Sequence, residues 1–211
     1  MKSLLLHLDS MPLAFQVANL KITPPSLNDN GYQGFNPRKE VLPKGWNGFN
    51  SRALSEDMIV EHDVAVVVRD GCKLYCDIYR PPNSDNEKVP AIVAWSPFGK
   101  KYNGIGMMSH VCSSTMASNI YSLLITSLQV KWGCGVKNGD LSGLERFEGP
   151  DPAEYCPRGF AVVNVDSRGA GDSEGSIVIM GSQEGEDGHD VIEALAKMPW
   201  YVTEVLCEIL Y

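Results

Sequence analysis

Arg158-Gly159-Phe160-Ala161-Val162-Val163-Asn164-Val165-Asp166-Ser167-Arg168-Gly169-Ala170-Gly171-Asp172-Ser173-Glu174-Gly175 is the stretch whose reading decides the fold. Its first half, 160–166, is a nearly continuous apolar run, the pattern of a strand buried on both faces. Its second half crowds glycine, aspartate and serine, which make tight turns. Downstream, residues 183–197 show helical spacing. Val191, Ile192 and Leu195 form the apolar face with Ala196 beside them, and Glu184, Glu186 and Asp187 complement the dipole of the first turns. Pro199 stops the helix. Upstream, 91–95 is a second short apolar run, broken by Ser96-Pro97-Phe98-Gly99-Lys100. Before that, 60–69 is rich in β-branched residues and 73–79 alternates apolar and polar residues. Asp70-Gly71 between them predicts a hairpin through a type I′ turn, whose two central residues take positive φ. The expected fold class is α/β: an opening antiparallel hairpin, then parallel strands with a crossover helix.

Residues 1–58 read as an irregular extension. The part from 23 to 50 is rich in Pro, Gly and Asn, which punctuate loops, and it either wraps over the domain or moves freely. The 211-residue chain carries a formal charge of -8, which argues against a nucleic-acid partner. No apolar run approaches the length of a membrane span, and Asp9 interrupts the short apolar start too early for a signal peptide, so a cytoplasmic location is expected. The six cysteines form no C-x-x-C pair and read as reduced, small apolar residues.

Three local patterns invite functional readings. Gly171-Asp172-Ser173-Glu174-Gly175 is a literal G-x-S-x-G, but a nucleophile elbow needs a strand running straight into the serine turn and a helix straight out of it. Here the strand ends near Asp166 and Ile177-Val178-Ile179-Met180 separates the serine from the helix, so Ser173 is read as a turn residue. Gly169 and Gly171 begin a dinucleotide fingerprint, but Glu174 stands where its third glycine belongs. The cluster Glu184, Glu186, Asp187, Asp190, Glu193 lacks the loop spacing of a calcium site and reads as a solvated helix face. His62 and His189 read as surface histidines outside any triad. No metal and no cofactor is expected.

In order, four segments of the sequence resemble the X-prolyl dipeptidyl-peptidase and cocaine esterase (CocE/NonD) family of α/β-hydrolases, in its N-terminal portion only. They are 68–81, then 89–93 leading to 96–100, then 158–175, then 184–193 ending at Pro199-Trp200. The resemblance implies an incomplete α/β-hydrolase domain over 59–200. It implies a serine hydrolase that cleaves an ester or amide bond, X-Pro dipeptidyl or acyl ester, through an acyl-serine, with a small ester or peptide as substrate. The family's serine elbow follows Pro-Trp, and its aspartate and histidine come later. Residues 201–211 match none of these, so no catalytic Ser, Asp or His is expected here and the chain is expected to be inactive as written. Phe98 matches the family's oxyanion-hole tyrosine without the hydroxyl, a loss worth about a hundredfold to a thousandfold in rate. Asp166, Arg168 and Gly169 match family positions and are read as organising the turn. The alternative is a non-catalytic interaction protein built on a partial hydrolase scaffold.

Residues 111–129 interrupt the resemblance with an uncharged, Ser/Leu/Ile-rich stretch. It is either a genuine amphipathic insertion or translated intron. Val111-Cys112 admits the splice-donor sequence GTATGT and Gln129 the acceptor ending CAG, and Trp200-Tyr201-Val202 can also contain GTATGT ahead of the non-family tail.

Overall fold

In a computed structural model, residues 26–27, 32–48, 51–101, 140–146 and 149–202 are described. The hairpin announced by Asp70-Gly71 joins β2 (Met58–Val67) to β3 (Lys73–Arg80) in antiparallel register, with Val67 opposite Lys73. Its turn is not type I′. Only Gly71 has positive φ (87°), and the hydrogen bonds Gly71 N–H to Val68 O (2.8 Å) and Val68 N–H to Cys72 O (3.0 Å) close a three-residue loop. Asp70 keeps an ordinary backbone, and its carboxylate accepts the Cys72 N–H at 3.0 Å.

β1 (Arg38–Leu42) pairs antiparallel with β2. It lies inside the stretch expected to be irregular, and so does Met58 at the start of β2. Arg38-Lys39-Glu40 gives little intrinsic strand signal. The pairing partner and the hydrogen bond between Glu40 Oε1 and His62 Nε2, 2.7 Å, supply what local propensity lacks. A charged outer strand also suits the edge of a sheet.

β4 (Ala91–Ser96) and β5 (Ala161–Asp166) are parallel, and β5 inserts between β3 and β4, giving the order β1-β2-β3-β5-β4 among the described strands. Alternate residues of β5 serve two cores. Ala161, Val163 and Val165 join Leu74, Cys76, Ile78, Val93 and Trp95 under α2 (Ser182–Leu195), whose Val191 and Leu195 are buried against them. Val162 faces the other way, with Leu42, Met58, Val60, Tyr79 and Cys156, the last just after the short helix α1 (Pro152–Tyr155).

After α2, Val89 N–H donates to Trp200 O (2.9 Å) and Val202 N–H to Val89 O (3.1 Å), a parallel bridge on the outer side of β4. The stretch 111–129 and the tail from 203 lie outside the described residues. No described helix is long and apolar enough to cross a membrane.

Candidate functional site

Parallel strands present a crevice at their carboxyl ends, where α/β proteins place their chemistry. Here Ser96 of β4 stands opposite Asp166 of β5, and the chain leaves both strands at the same edge. A β-bulge in β2 between Glu61 and Val64 brings a third element. It holds Asp63 at φ 53°, a conformation that L residues avoid, and is secured by Asp63 N–H donating to Asp77 Oδ1 at 2.9 Å.

These elements converge on a buried ionic hub. Lys100 Nζ is 2.8 Å from Asp166 Oδ2, 3.0 Å from Asp172 Oδ2 and 3.0 Å from Asp63 Oδ1. Lys101 Nζ is 2.6 Å from Asp63 Oδ1 and 3.2 Å from Asp172 Oδ2. At Asp63 Oδ1 the approach angles fall outside hydrogen-bond geometry, so the attraction there is one of charge alone. Asp166 also accepts the backbone N–H groups of Lys100 and of Asp172, the latter at 3.0 Å. Burial would lower the Lys100 ammonium, but the carboxylates of Asp166, Asp77 and Asp63 outweigh it and hold it above the ordinary lysine value. Burial raises Asp166, with Lys100 opposing. Asp172 is also pushed up by burial, but Tyr32 and Lys100 bring it below its ordinary value. A lysine that stays charged, with its side chain out of solvent and its protons directed at carboxylates, is neither nucleophile nor general base. The hub is scaffolding that fixes loop 97–101 against the turn after β5. Arg146 adds to it by donating from Nε to Lys100 O and from NH2 to Tyr79 Oη at 3.0 Å.

That turn is held throughout by hydrogen bonds. Gly169 N–H donates to Glu174 O (2.9 Å) and Glu174 N–H to Lys73 O (2.9 Å). A side chain at Gly171 (φ 51°) would drive its Cβ into the Asp166 carboxylate. Ser173 Oγ donates to Asp166 O (2.8 Å) and accepts from Tyr75 N–H (2.9 Å). Arg168 reaches Asp187 on α2 and Asp70 in the hairpin loop (2.9 Å). Phe98 lies 38% exposed at the rim, its N–H donating to Ser96 Oγ at 3.0 Å.

Two readings of the sequence need correction. The acidic helix cluster is not uniformly solvated: Glu184 and Asp187 are 6% and 0% exposed. Glu184 accepts from Trp95 Nε1 (2.9 Å) and Met180 N–H (2.5 Å), while Asp187 accepts from Arg168, so each finds a buried donor on the sheet side of the helix. His62 is not on the surface either. It pairs in register with Arg38 of β1, with Nε2 on Glu40 and Nδ1 3.8 Å from Asp77 Oδ2, its side chain 16% exposed. His189 is 65% exposed beside Asp190. His7 and His110 lie outside the described residues. Among the described residues no serine, histidine and carboxylate form a hydrogen-bonded set, and no group of His, Cys, Asp or Glu is arranged to hold a metal.

Sequence reasoning missed Asp63, Lys101, Asp172, Tyr32 and Arg146. The available signal was the adjacent pair Lys100-Lys101 in the loop that follows an apolar strand, which calls for carboxylates nearby.

The sequence profile of the X-Pro dipeptidyl-peptidase (S15) family matches residues 70–205. Two crystal structures of a CocE/NonD family hydrolase from Staphylococcus aureus superpose with TM-scores of 0.57 and 0.54 at 25% and 27% identity. They cover 90% and 72% of this chain but only 28% and 23% of that enzyme. A curated Aspergillus ustus protein named L-tyrosine:2-oxoglutarate aminotransferase is 36% identical over 78 residues, 36% of this chain and 15% of that protein. The chain thus spans less than a third of the length of each of these relatives. With more than half of its residues matched by the family profile, the chain belongs to the X-Pro dipeptidyl-peptidase (S15) family of hydrolases.

Proposed function

We propose that these residues are the N-terminal scaffold of a serine hydrolase that cleaves ester or amide bonds (X-Pro dipeptidyl or acyl ester) through an acyl-serine. We propose further that the 211-residue polypeptide does not itself turn over substrate. The observation that carries this reading is the state of Ser173. Its hydroxyl is engaged on both sides by Asp166 O and Tyr75 N–H, with no histidine among its partners in the described residues. On this reading Phe98 occupies the oxyanion-hole position without a hydroxyl, and Asp166, Arg168 and Gly169 shape the turn. The parallel bridge from Val89 to Tyr201 supports it, because Val89 lies just ahead of β4, and a strand leading to a nucleophile elbow would begin from such a pairing. The free thiols of Cys72, Cys76 and Cys156 support a cytoplasmic location.

The test is a fluorophosphonate probe on the purified chain, read by intact mass. No adduct is expected, and an adduct mapped to Ser173 would overturn the proposal. Long reads of the mature transcript test the rest. We expect a transcript that continues past Trp200 into a strand and a G-x-S-x-x-G-like elbow, and that either skips or keeps the codons for 111–129, which separates intron from insertion. One observation favours the second reading, a non-catalytic interaction protein. Ile177, Val178, Ile179 and Met180 are consecutive and 50%, 45%, 57% and 78% exposed. A transcript encoding the 211 residues as they stand would turn the assignment to it.

A further inference from the structure

The segment before β1 crosses to the hub and is tied there at three points. Tyr32 Oη donates to Asp172 Oδ1 (2.6 Å), Lys101 Nζ donates to Gly34 O (2.6 Å), and Asn36 N–H donates to Asp63 Oδ2 (2.7 Å). Lys101 is common to the arrangement. Besides its contacts with Asp63 and Asp172, its ammonium lies 5.4 Å from the ring centre of Tyr32 and 5.8 Å from that of Phe35. Gly34, at φ 84°, gives the backbone the turn that presents its carbonyl to the lysine.

A lysine that merely passed under a loop would keep its ammonium in water. Lys101 is only 8% exposed, and two carboxylates, one carbonyl and two aromatic faces replace the lost water. The carboxylates that receive the strap, Asp63 and Asp172, are also ion-paired to Lys100, and Asp172 N–H shares Asp166 with the Lys100 backbone. Strap and loop therefore draw on one set of ions, and loosening one loosens the other.

We infer that residues 32–36 form a strap, keyed by Lys101, that positions loop 97–101 against the turn after β5. Lys101 and Tyr32 are positioning residues acting through Asp63 and Asp172. The inference rests on the proposed function only in taking 97–101 as the oxyanion loop, and its test reads backbone exchange, which is independent of whether the chain reacts with a fluorophosphonate.

The experiment is amide hydrogen exchange on the full 211-residue chain, comparing wild type with Lys101→Met and Tyr32→Phe. In Lys101→Met, the amides of Asn36, Lys100 and Asp172 are expected to exchange about tenfold faster or more, while those of α2 and of the β3–β5 ladder keep their rates. Tyr32→Phe, which removes one hydrogen bond and no charge, is expected to move the same three amides by less, and it carries the test if Lys101→Met does not fold. Faster exchange at Asn36 with Lys100 and Asp172 unmoved would overturn the inference. So would an equal rise across β3–β5, or no change at the three amides in Tyr32→Phe.

Discussion

Arg168 and Asp187 form a two-pronged ion pair, Nε to Oδ2 and NH2 to Oδ1, both at 2.7 Å, that fastens the turn after β5 to the first half of α2. The Asp187 side chain is 1% exposed and that of Arg168 13%. Truncating the carboxylate takes the two-pronged acceptor from a largely buried guanidinium and leaves it Asp70 as its ionic partner among the described residues. Asp187→Ala is therefore expected to destabilise by about 3 kcal/mol, read as a shift in the urea midpoint. A loss below about 1 kcal/mol would mean that the pair contributes no more than a surface salt bridge.

The glycines of the same region separate into two kinds. At Gly169 (φ 75°) an added Cβ would sit 2.5 Å from Ile177 N, and at Gly171 it would meet the Asp166 carboxylate. Either alanine substitution is expected to cost about 2 kcal/mol or more, since left-handed strain and a clash add. Gly185 in α2 has ordinary helical backbone, and a Cβ added there would meet nothing within 4 Å. Gly185→Ala should stabilise by about 0.5–1 kcal/mol. Thermal melts of the three variants check the contrast.

Ser173→Ala tests the turn role directly. Removing Oγ leaves Tyr75 N–H without its acceptor, so a loss of about 1–2 kcal/mol is expected, with the background hydrolysis of p-nitrophenyl acetate unchanged. Hydrolysis abolished at undiminished stability would make Ser173 a nucleophile instead.

Stability should fall in acid, and Asp77 sets part of the slope. Burial alone would raise its carboxyl, but the His62 imidazole and the Lys100 charge outweigh that and hold it below its ordinary 3.8. A depressed carboxylate contributes fully above its unfolded value, and the contribution is lost as pH drops through the folded one. Urea midpoints should therefore decline below about pH 3.8, and Asp77→Asn should flatten that decline. Asp166 and Glu145, both raised chiefly by burial, act in the opposite sense above their ordinary values, where the folded state holds the extra proton. A profile of Asp77→Asn as steep as the wild type below pH 3.8 would remove Asp77 from the account.

Local patterns on their own determined the hairpin, the two parallel strands and the helix. Strand periodicity, the continuous apolar runs at 91–95 and 160–166 and the stop at Pro199 are properties of neighbours in the chain. The same order of segments carried the family resemblance. Tertiary structure alone decided which charges are buried. Glu184, Asp187 and His62 read as surface residues, and Asp63 and Lys101 drew no reading at all, because a charge or an imidazole is ordinarily left in water, and one sequence cannot show that a partner 19 to 140 positions away will replace that water. Arg168 meets Asp187 across 19 residues, Lys100 meets Asp166 across 66, and Tyr32 meets Asp172 across 140. Edge strand β1 belongs with them. Its charged residues carry no strand signal of their own, and it forms because β2 offers an unpaired edge and His62 a partner for Glu40.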